Sequence, residues 1–406
     1  MALALTRSPE TVAAPLRILM VSDVYLPRIN GVSTSIAIFR AELEQLGHQV
    51  DLLVPAYDAL EDARAPDPGV HRVPGWAPWF DPEDRLMSAR RLRALRPRLA
   101  AADYDLIHIQ TPFRAHRFGV ALAQQLGIPV IESYHTLFEA YGEHYLPWLP
   151  RSWLRAGARA FSRHQCNQVD AVIVPSLVMA QTLSAYGVLS PIHTLPTGLE
   201  AAAFAPADGR RFRARLGLDD DVPLLLFVGR VAHEKSIDFL LYMLRALLPA
   251  QPRAQLAIVG DGPARESLEQ LGRRLDIADH LHWTGYLPRT VVLREAYQGA
   301  DGFVFASQTE TQGLVLLEAM AQGLPCVAVA AQGTCDLLEE GSGALIASLD
   351  PEAFAARVAA LLADGAWRSR LSSAAREHAA QWSASAAARR LEQIYLGLRA
   401  SRLAMM

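Results

Sequence analysis

Leu224-Leu225-Leu226-Phe227-Val228-Gly229-Arg230-Val231-Ala232-His233-Glu234-Lys235 places five apolar residues in a row, without a polar alternate, directly before a glycine. An uninterrupted run of that length describes a strand buried on both faces, as in parallel sheets that carry helices on each side. The glycine then lets the backbone turn sharply out of the strand. Similar runs recur along the chain. Residues 17–22, 50–54, 106–109, 129–133, 171–174 and 192–195 form one series; 224–228, 255–259, 281–284, 302–305, 326–329 and 344–346 form a second. Helix-length segments such as 33–46 and 118–126 separate them. The rhythm predicts an α/β protein of two doubly wound domains. It breaks at 197–221, where Gly198, Pro206, Gly209 and Asp219-Asp220-Asp221 interrupt the alternation. The expected organisation is a flexible extension over 1–15, a first domain over 16–199, a second over 200–382, and a C-terminal helix over 383–406 that packs back on the first domain.

Composition narrows the partners. Of the 39 basic residues only Lys235 is a lysine, so a merely solvated positive charge in this chain is expected to be arginine. The exception points to a place where a compact ammonium matters, as on a phosphate; the alternative is a chance surface residue. At 406 residues and 51% hydrophobic the chain is too long for one compact core. A net charge of -3 gives no reason to expect nucleic acid as a partner. Three cysteines without a CxxC pair argue against a disulfide framework or a zinc cluster and for a reducing compartment, the cytoplasm. Residues 1–15 lack the pattern of a signal peptide, and no later stretch reaches the ~18 apolar residues of a spanning helix.

Several segments carry chemistry. The first strand ends at Ser22-Asp23, and Gly31-Val32 follow just before a helix, where backbone amides can approach an anion or a sugar in the positive end of the helix dipole. Gly260-Asp261-Gly262-Pro263 resembles the start of a dinucleotide fingerprint, but Arg265 holds the third glycine position and disfavours a nicotinamide enzyme. In Glu310-Thr311-Gln312-Gly313-Leu314-Val315-Leu316-Leu317-Glu318, one carboxylate falls in the loop after strand 302–305 and the other about a turn into the next helix. Such carboxylates accept hydrogen bonds from the paired hydroxyls of a ribose or hexose, while the amides of Gly313 and Leu314 point at a phosphate. Glu310 as a first-turn helix charge and Glu318 as a solvated face are the alternatives, although Glu318 is embedded in apolar residues where an idle carboxylate is costly. Asp103-Tyr104-Asp105 has the form of a metal-binding Asp-x-Asp but precedes its strand instead of ending it.

Taken in order, Gly31-Val32, Pro196-Thr197-Gly198, Gly229-Arg230 with Glu234-Lys235, Gly260-Asp261-Gly262-Pro263 and Glu310 with Glu318 resemble the retaining, nucleotide-sugar-dependent glycosyltransferases of family 4. The resemblance spans about Arg17 to Trp382 and implies the GT-B fold, two Rossmann-like domains facing across a cleft. By resemblance, Arg230 and Lys235 clamp the donor pyrophosphate and stabilise the charge that develops on the leaving group. Glu318 binds the ribose, Glu310 with the amides of Gly313 and Leu314 holds the donor sugar, and Gly31 and Val32 contact the donor from the other domain. Tyr286 and Leu287, after Gly285, lie where the base is recognised. His135, in Glu132-Ser133-Tyr134-His135-Thr136, meets the donor sugar near the reacting centre as an orienting group. Neither a metal nor a cofactor is implied.

The acceptor side resembles the bacterial branch that glycosylates diacylglycerol, through Thr111-Pro112-Phe113, Tyr134-His135-Thr136-Leu137-Phe138-Glu139, His144-Tyr145 and Thr309 to Gly313. Arg114-Ala115-His116-Arg117 departs from that branch, where small residues are commoner. Independently, Arg151, Arg155, Arg159 and Arg163 recur every four residues on one helical face, beside Trp148, Trp153, Leu154 and Phe161. A second basic run, Arg85 to Arg98, follows Trp76, Trp79 and Phe80. Basic and aromatic side chains interleaved in this way suit an anionic lipid surface at ~1 kcal/mol per charge; either run alone also fits a solvated face. The expected function is transfer of a hexose from a nucleoside-diphosphate sugar, favoured as a UDP-sugar, to a lipid hydroxyl, favoured as diacylglycerol, by a cytoplasmic protein on the inner face of the cell membrane. A mannosyl- or glucosyltransferase acting on a polyprenyl-linked or soluble glycan is the alternative within enzymes, and a nucleotide-sugar-binding protein without turnover the alternative outside them.

Overall fold

The structure, a computed structural model, describes residues 14–57, 67–77, 85–136, 150–288 and 291–405. The extension proposed for the N-terminus, except its last two residues, lies outside the described residues, as do Trp79, Phe80, segment 137–149 with Trp148, and the Arg151 side chain.

Two parallel sheets organise the chain. The first has the order β3-β2-β1-β6-β7-β8-β9, built from β1 (Arg17–Val21), β2 (Gln49–Pro55), β3 (Val70–Val73), β6 (Leu106–Ile109), β7 (Val130–Ser133), β8 (Ala171–Val174) and β9 (Ile192–Thr194). A small antiparallel pair, β4 (Gly75–Trp76) and β5 (Leu86–Met87), sits beside it. The second has the order β12-β11-β10-β13-β14-β15, from β10 (Leu224–Val228), β11 (Gln255–Val259), β12 (Leu281–Gly285), β13 (Gly302–Phe305), β14 (Cys326–Ala328) and β15 (Ala344–Ile346). All five residues of β10 are buried, as their uninterrupted apolar run requires.

Helices cover both faces of each sheet, so the chain has two Rossmann-like domains and the GT-B architecture. On one face of the first sheet, helices Ala89–Ala100, Arg114–Leu126, Arg151–Cys166 and Leu177–Ala185 bury Leu92, Leu99, Val120, Cys166 and Leu183 in a single core. On the other, helix Gly31–Gln45 and the last helix, Ala384–Met405, bury Ile36, Phe39, Leu391 and Tyr395. The last helix starts beyond the second domain and is tied to the first. His48 meets Glu392 at 3.0 Å, Arg399 lies 3.3 Å from Asp105, and Arg402 donates to the Gly127 carbonyl at 3.1 Å.

Topology fixes where ligands can bind. In a doubly wound sheet the crevice opens at the carboxyl ends of neighbouring strands whose connections leave in opposite directions. That point lies between β1 and β6 in the first sheet and between β10 and β13 in the second. The loops leaving those strands contain Asp23, Gln110 and Arg230, and the segment Glu310 to Gly313.

Candidate active site

The second domain gathers four turns at the carboxyl edge of its sheet. Beyond β10, Gly229 N donates to the Val259 carbonyl at 3.0 Å and Val231 N to the Asp261 carbonyl at 3.0 Å, stitching the Arg230 turn to the turn after β11. The approach is so close that a Cβ on Gly260 would lie 1.9 Å from the Gly229 oxygen, and one on Gly262 2.5 Å from the Val231 oxygen. The glycines of Gly260-Asp261-Gly262 therefore let two turns touch. Arg265, at the position that breaks the dinucleotide pattern, pairs with Glu269 at 2.9 Å and Asp261 at 3.1 Å. Tyr286, after β12, is half exposed and donates its hydroxyl to the Asp261 carbonyl at 3.1 Å, joining the third turn to the group.

The fourth turn follows β13 and brings the sequence candidates together. Ser307 and Thr309 both donate to the Glu234 carbonyl at 3.2 Å, which holds the short 3-10 turn His233–Lys235 against this loop. Lys235 Nζ thereby reaches the Glu310 carboxylate as a largely buried ion pair. Gly313, at φ 89°, opens helix Leu314–Ala321 from a left-handed conformation that excludes a β-carbon without strain. The first amides of a helix have no partner within it, so those after Gly313 are available to an anion. Glu318, half-buried on the same helix, accepts a hydrogen bond from the buried Tyr297 hydroxyl at 3.0 Å. Arg230, Lys235, Glu310, Gly313, Tyr286 and Leu287 thus belong to turns of one sheet edge, with Leu314 the first residue of the helix beyond Gly313 and Glu318 a turn into it.

The first domain contributes a second set. Asn30 caps helix Gly31–Gln45: its side chain accepts from Ser33 N at 2.9 Å and its own amide donates to Ser33 Oγ at 3.0 Å. The helix therefore begins at Gly31, two residues before the segment read from the sequence. Half-buried His135 follows β7 and bonds to Gln110, beyond β6, with Nε2 at 3.1 Å from Oε1. Because the amide oxygen only accepts, the hydrogen resides on Nε2 and Nδ1 keeps its lone pair. Loss of hydration pushes the imidazole down to about 4, so it is neutral at pH 7. One layer deeper, fully buried His108 bridges Ser133 Oγ at 2.8 Å and Tyr395 Oη at 2.6 Å and is driven down to about 3 by burial.

Asp23 has no role in the sequence argument beyond marking the end of the first strand. Its buried carboxylate accepts from Thr111 Oγ1 at 2.9 Å and from Ala115 N at 3.1 Å, at the start of helix Arg114–Leu126. Burial raises it from 3.8 to about 6 against the opposing pull of those donors. Phe113, beside it, is 48% exposed. His116, one of the residues that departs from the diacylglycerol branch, turns into the core, where Glu132 lies 3.1 Å from Nδ1 and raises its pKa against the effect of burial. Tyr104 donates to Asp51 at 2.7 Å, and Asp105 accepts from Arg17 N at 2.8 Å, so two members of Asp103-Tyr104-Asp105 brace neighbouring strands. Sequence reasoning also missed Tyr297, Gln110 and the amide of Gln312, whose partners come from distant parts of the chain; only the Asn30-x-x-Ser33 cap had a local signal.

Both halves of the chain are similar to known proteins. Residues 29–203 match the model described as Glycosyltransferase Family 4, and residues 208–378 match Glycosyl transferases group 1. The chain is 33% identical over 322 residues to the alpha-monoglucosyldiacylglycerol synthase of Streptococcus pneumoniae, covering 77% of this chain and 71% of that protein. It is 31% identical over 338 residues to a GDP-mannose-dependent alpha-mannosyltransferase of Mycobacterium tuberculosis, covering 79% and 81%. In fold it matches HepE of Anabaena in complex with UDP and glucose, with a TM-score of 0.76 at 18% identity over 94% of this chain and 100% of that one. With both halves matched in order and two facing Rossmann-like domains between them, the chain belongs to the family 4 glycosyltransferases and has their GT-B fold.

Proposed function

We propose that the protein transfers a hexose, with retention of configuration, from a UDP-sugar to the hydroxyl of a lipid, with diacylglycerol as the favoured acceptor. The observation that carries transfer is the convergence of Lys235, Glu310, Arg230 and the Gly313 helix N-terminus at one switch point. A pyrophosphate seated at the Leu314 amides would lie within the positive end of a helix dipole, with two cations beside it. Charge building on the leaving diphosphate is then stabilised where it develops, without a metal ion. Lys235 next to the phosphate and Glu310 next to the sugar hydroxyls would bracket the bond that breaks. Glu318, oriented by Tyr297, would hold the ribose.

A histidine titrating near 4 is a weak base at neutral pH, which favours an orienting role for His135, with Nδ1 accepting from a sugar hydroxyl. The proton of the acceptor hydroxyl then passes to the departing phosphate oxygen as the new glycosidic bond forms on the same face of the sugar. A lipid acceptor is supported by the similarity to the pneumococcal synthase and by the surface of the first domain. Arg90, Arg91, Arg93, Arg155, Arg159 and Arg163 are exposed on helices that pack on the same side of the first sheet, and Trp153 is 74% exposed in the first turn of helix Arg151–Cys166. That surface suits anionic lipid at the inner face of the cell membrane. The mycobacterial relative keeps a second reading in view, mannosyl transfer from GDP-mannose to a glycan. Product analysis with labelled UDP-glucose, UDP-galactose, UDP-glucuronate and GDP-mannose against diacylglycerol, polyprenyl-linked and soluble acceptors tests both. Labelled glycolipid from a UDP-sugar is expected; product only with GDP-mannose and a glycan would overturn the lipid assignment, and binding without product would overturn turnover.

A further inference from the structure

The chain passes between the two sheets twice, at residues 195–199 and 382–384, and the two crossings are bonded to each other. Leu199 N donates to the Trp382 carbonyl at 2.7 Å and Ala384 N to the Leu199 carbonyl at 2.9 Å. They run so close that a Cβ on Gly198 would sit 2.4 Å from Ala384 N. Any change in the angle between the domains must work through this double strap.

Gln312 grips it from the middle of the Glu310 to Gly313 loop. Its amide accepts from Thr197 N at 2.9 Å and donates to the Thr197 carbonyl at 2.6 Å, and the residue is 8% exposed. Thr197 Oγ1 lies 2.7 Å from Ser35 Oγ, one turn into the helix that begins at Gly31. An unbroken line of hydrogen bonds therefore joins the first-domain helix N-terminus, the strap and the loop that carries Glu310. The same loop supports a second contact between the domains. Gly333 N donates to the Glu310 carbonyl at 2.9 Å, with no room for a Cβ against Thr311, and a few residues on the Asp336 carboxylate accepts from Leu177 N at the start of a first-domain helix. Packing alone in that buried position would be met by leucine; an amide engaging both the N–H and the C=O of one residue fixes the distance and the register of the loop against the strap.

We infer that Gln312 is a positioning residue that couples the donor loop to the hinge, so that a sugar held at Glu310 and Gly313 is presented in register to the side of the cleft formed by Gly31 and His135. This rests on the glycosyl-transfer reading of the same site. Gln312→Leu removes both bonds. Gln312→Glu keeps the acceptor for Thr197 N but, when ionised, sets a carboxylate against the Thr197 carbonyl; protonation returns the donor. Relative to wild type at each pH, Gln312→Glu is expected to lose about thirtyfold in kcat near pH 8 and to recover to within about threefold near pH 5.5, while Gln312→Leu stays low at both. UDP affinity, measured by calorimetry, is expected to stay within about threefold of wild type in both variants. The compaction on adding UDP, read by small-angle X-ray scattering, is expected in wild type and lost in Gln312→Leu. A Gln312→Glu ratio independent of pH, wild-type kcat in Gln312→Leu, or parallel loss of UDP binding and turnover would overturn the coupling. A wild-type protein that compacts through Gln312 yet transfers no sugar to any acceptor would overturn the transferase reading and leave the coupling standing.

Discussion

Lys235 is the only lysine among 39 basic residues, and it reaches a carboxylate in the loop that leaves the opposite side of the switch point. Lys235→Arg keeps the charge but replaces a compact ammonium by a planar fork, and kcat/KM is expected to fall about tenfold or more. Near-wild-type turnover would make the lysine a compositional accident. Tyr297→Phe removes the hydroxyl that orients Glu318; donor KM is expected to rise about five- to tenfold, with kcat within about twofold, the size of one ordinary hydrogen bond. An equal fall in kcat would move Glu318 out of ground-state donor binding. Asp23 makes a pH prediction. Its native pKa of about 6 lies above the ordinary 3.8, so between those values the unfolded chain has released a proton that the native chain keeps. The contribution favours the native state below about pH 4 and is lost as pH rises through about 6, on the order of 3 kcal/mol. Stability of Asp23→Asn minus that of wild type, from urea denaturation, should therefore rise between about pH 4 and pH 7; a constant difference would mean that the carboxylate is not protonated in that window. His108 and His135, driven down to about 3 and about 4, act in the opposite direction and lose stability as pH falls below about 6.5.

Among the elements, helix Arg151–Cys166 carries the clearest consequence. Its exposed Arg155, Arg159 and Arg163 lie along one side of the helix, Trp153 is exposed in its first turn, and helix Ala89–Ala100 adds arginines on the same side of the sheet. At about 1 kcal/mol per charge, replacing the three arginines by glutamine is expected to weaken flotation with anionic vesicles by roughly a hundredfold. Binding insensitive to the triple variant and to 1 M salt would sink the interfacial model. The strands were legible because both of their faces are buried, so hydrophobicity alone marks them: 106–109, 171–174, 224–228, 255–259, 302–305 and 344–346 end where the sequence places them. Val70–Val73 was not legible. It is the edge strand of the first sheet, and His71 and Arg72, both half-buried, break the apolar run. Helix Arg114–Leu126 starts four residues before the predicted segment, because its first turn is held by Asp23 from another strand end instead of by a cap of its own.

At the scale of the whole molecule, the last helix closes the first domain through a buried polar contact. Tyr395→Phe would leave one nitrogen of His108 unpaired in the core, at a cost of about 1–3 kcal/mol. The thermal midpoint is expected to fall by roughly 3–10 °C, and an unchanged midpoint would show that the contact adds nothing. Glu310, Glu318, Arg230, Lys235 and the glycine turns were readable in the chain because they sit at fixed places after strands, and the order of strands and turns is a property of sequence. What the sequence determined by itself was therefore the doubly wound architecture, the identity of the loops at the switch points, and the residue types available there. The tertiary structure alone decided which of those residues meet: Lys235 with Glu310, Glu318 with Tyr297, His135 with Gln110, and Gln312 with Thr197 across 115 residues of chain. Such pairings depend on strand order and on the angle between domains. Both are set by long-range packing, which leaves no periodic trace in the sequence around either partner.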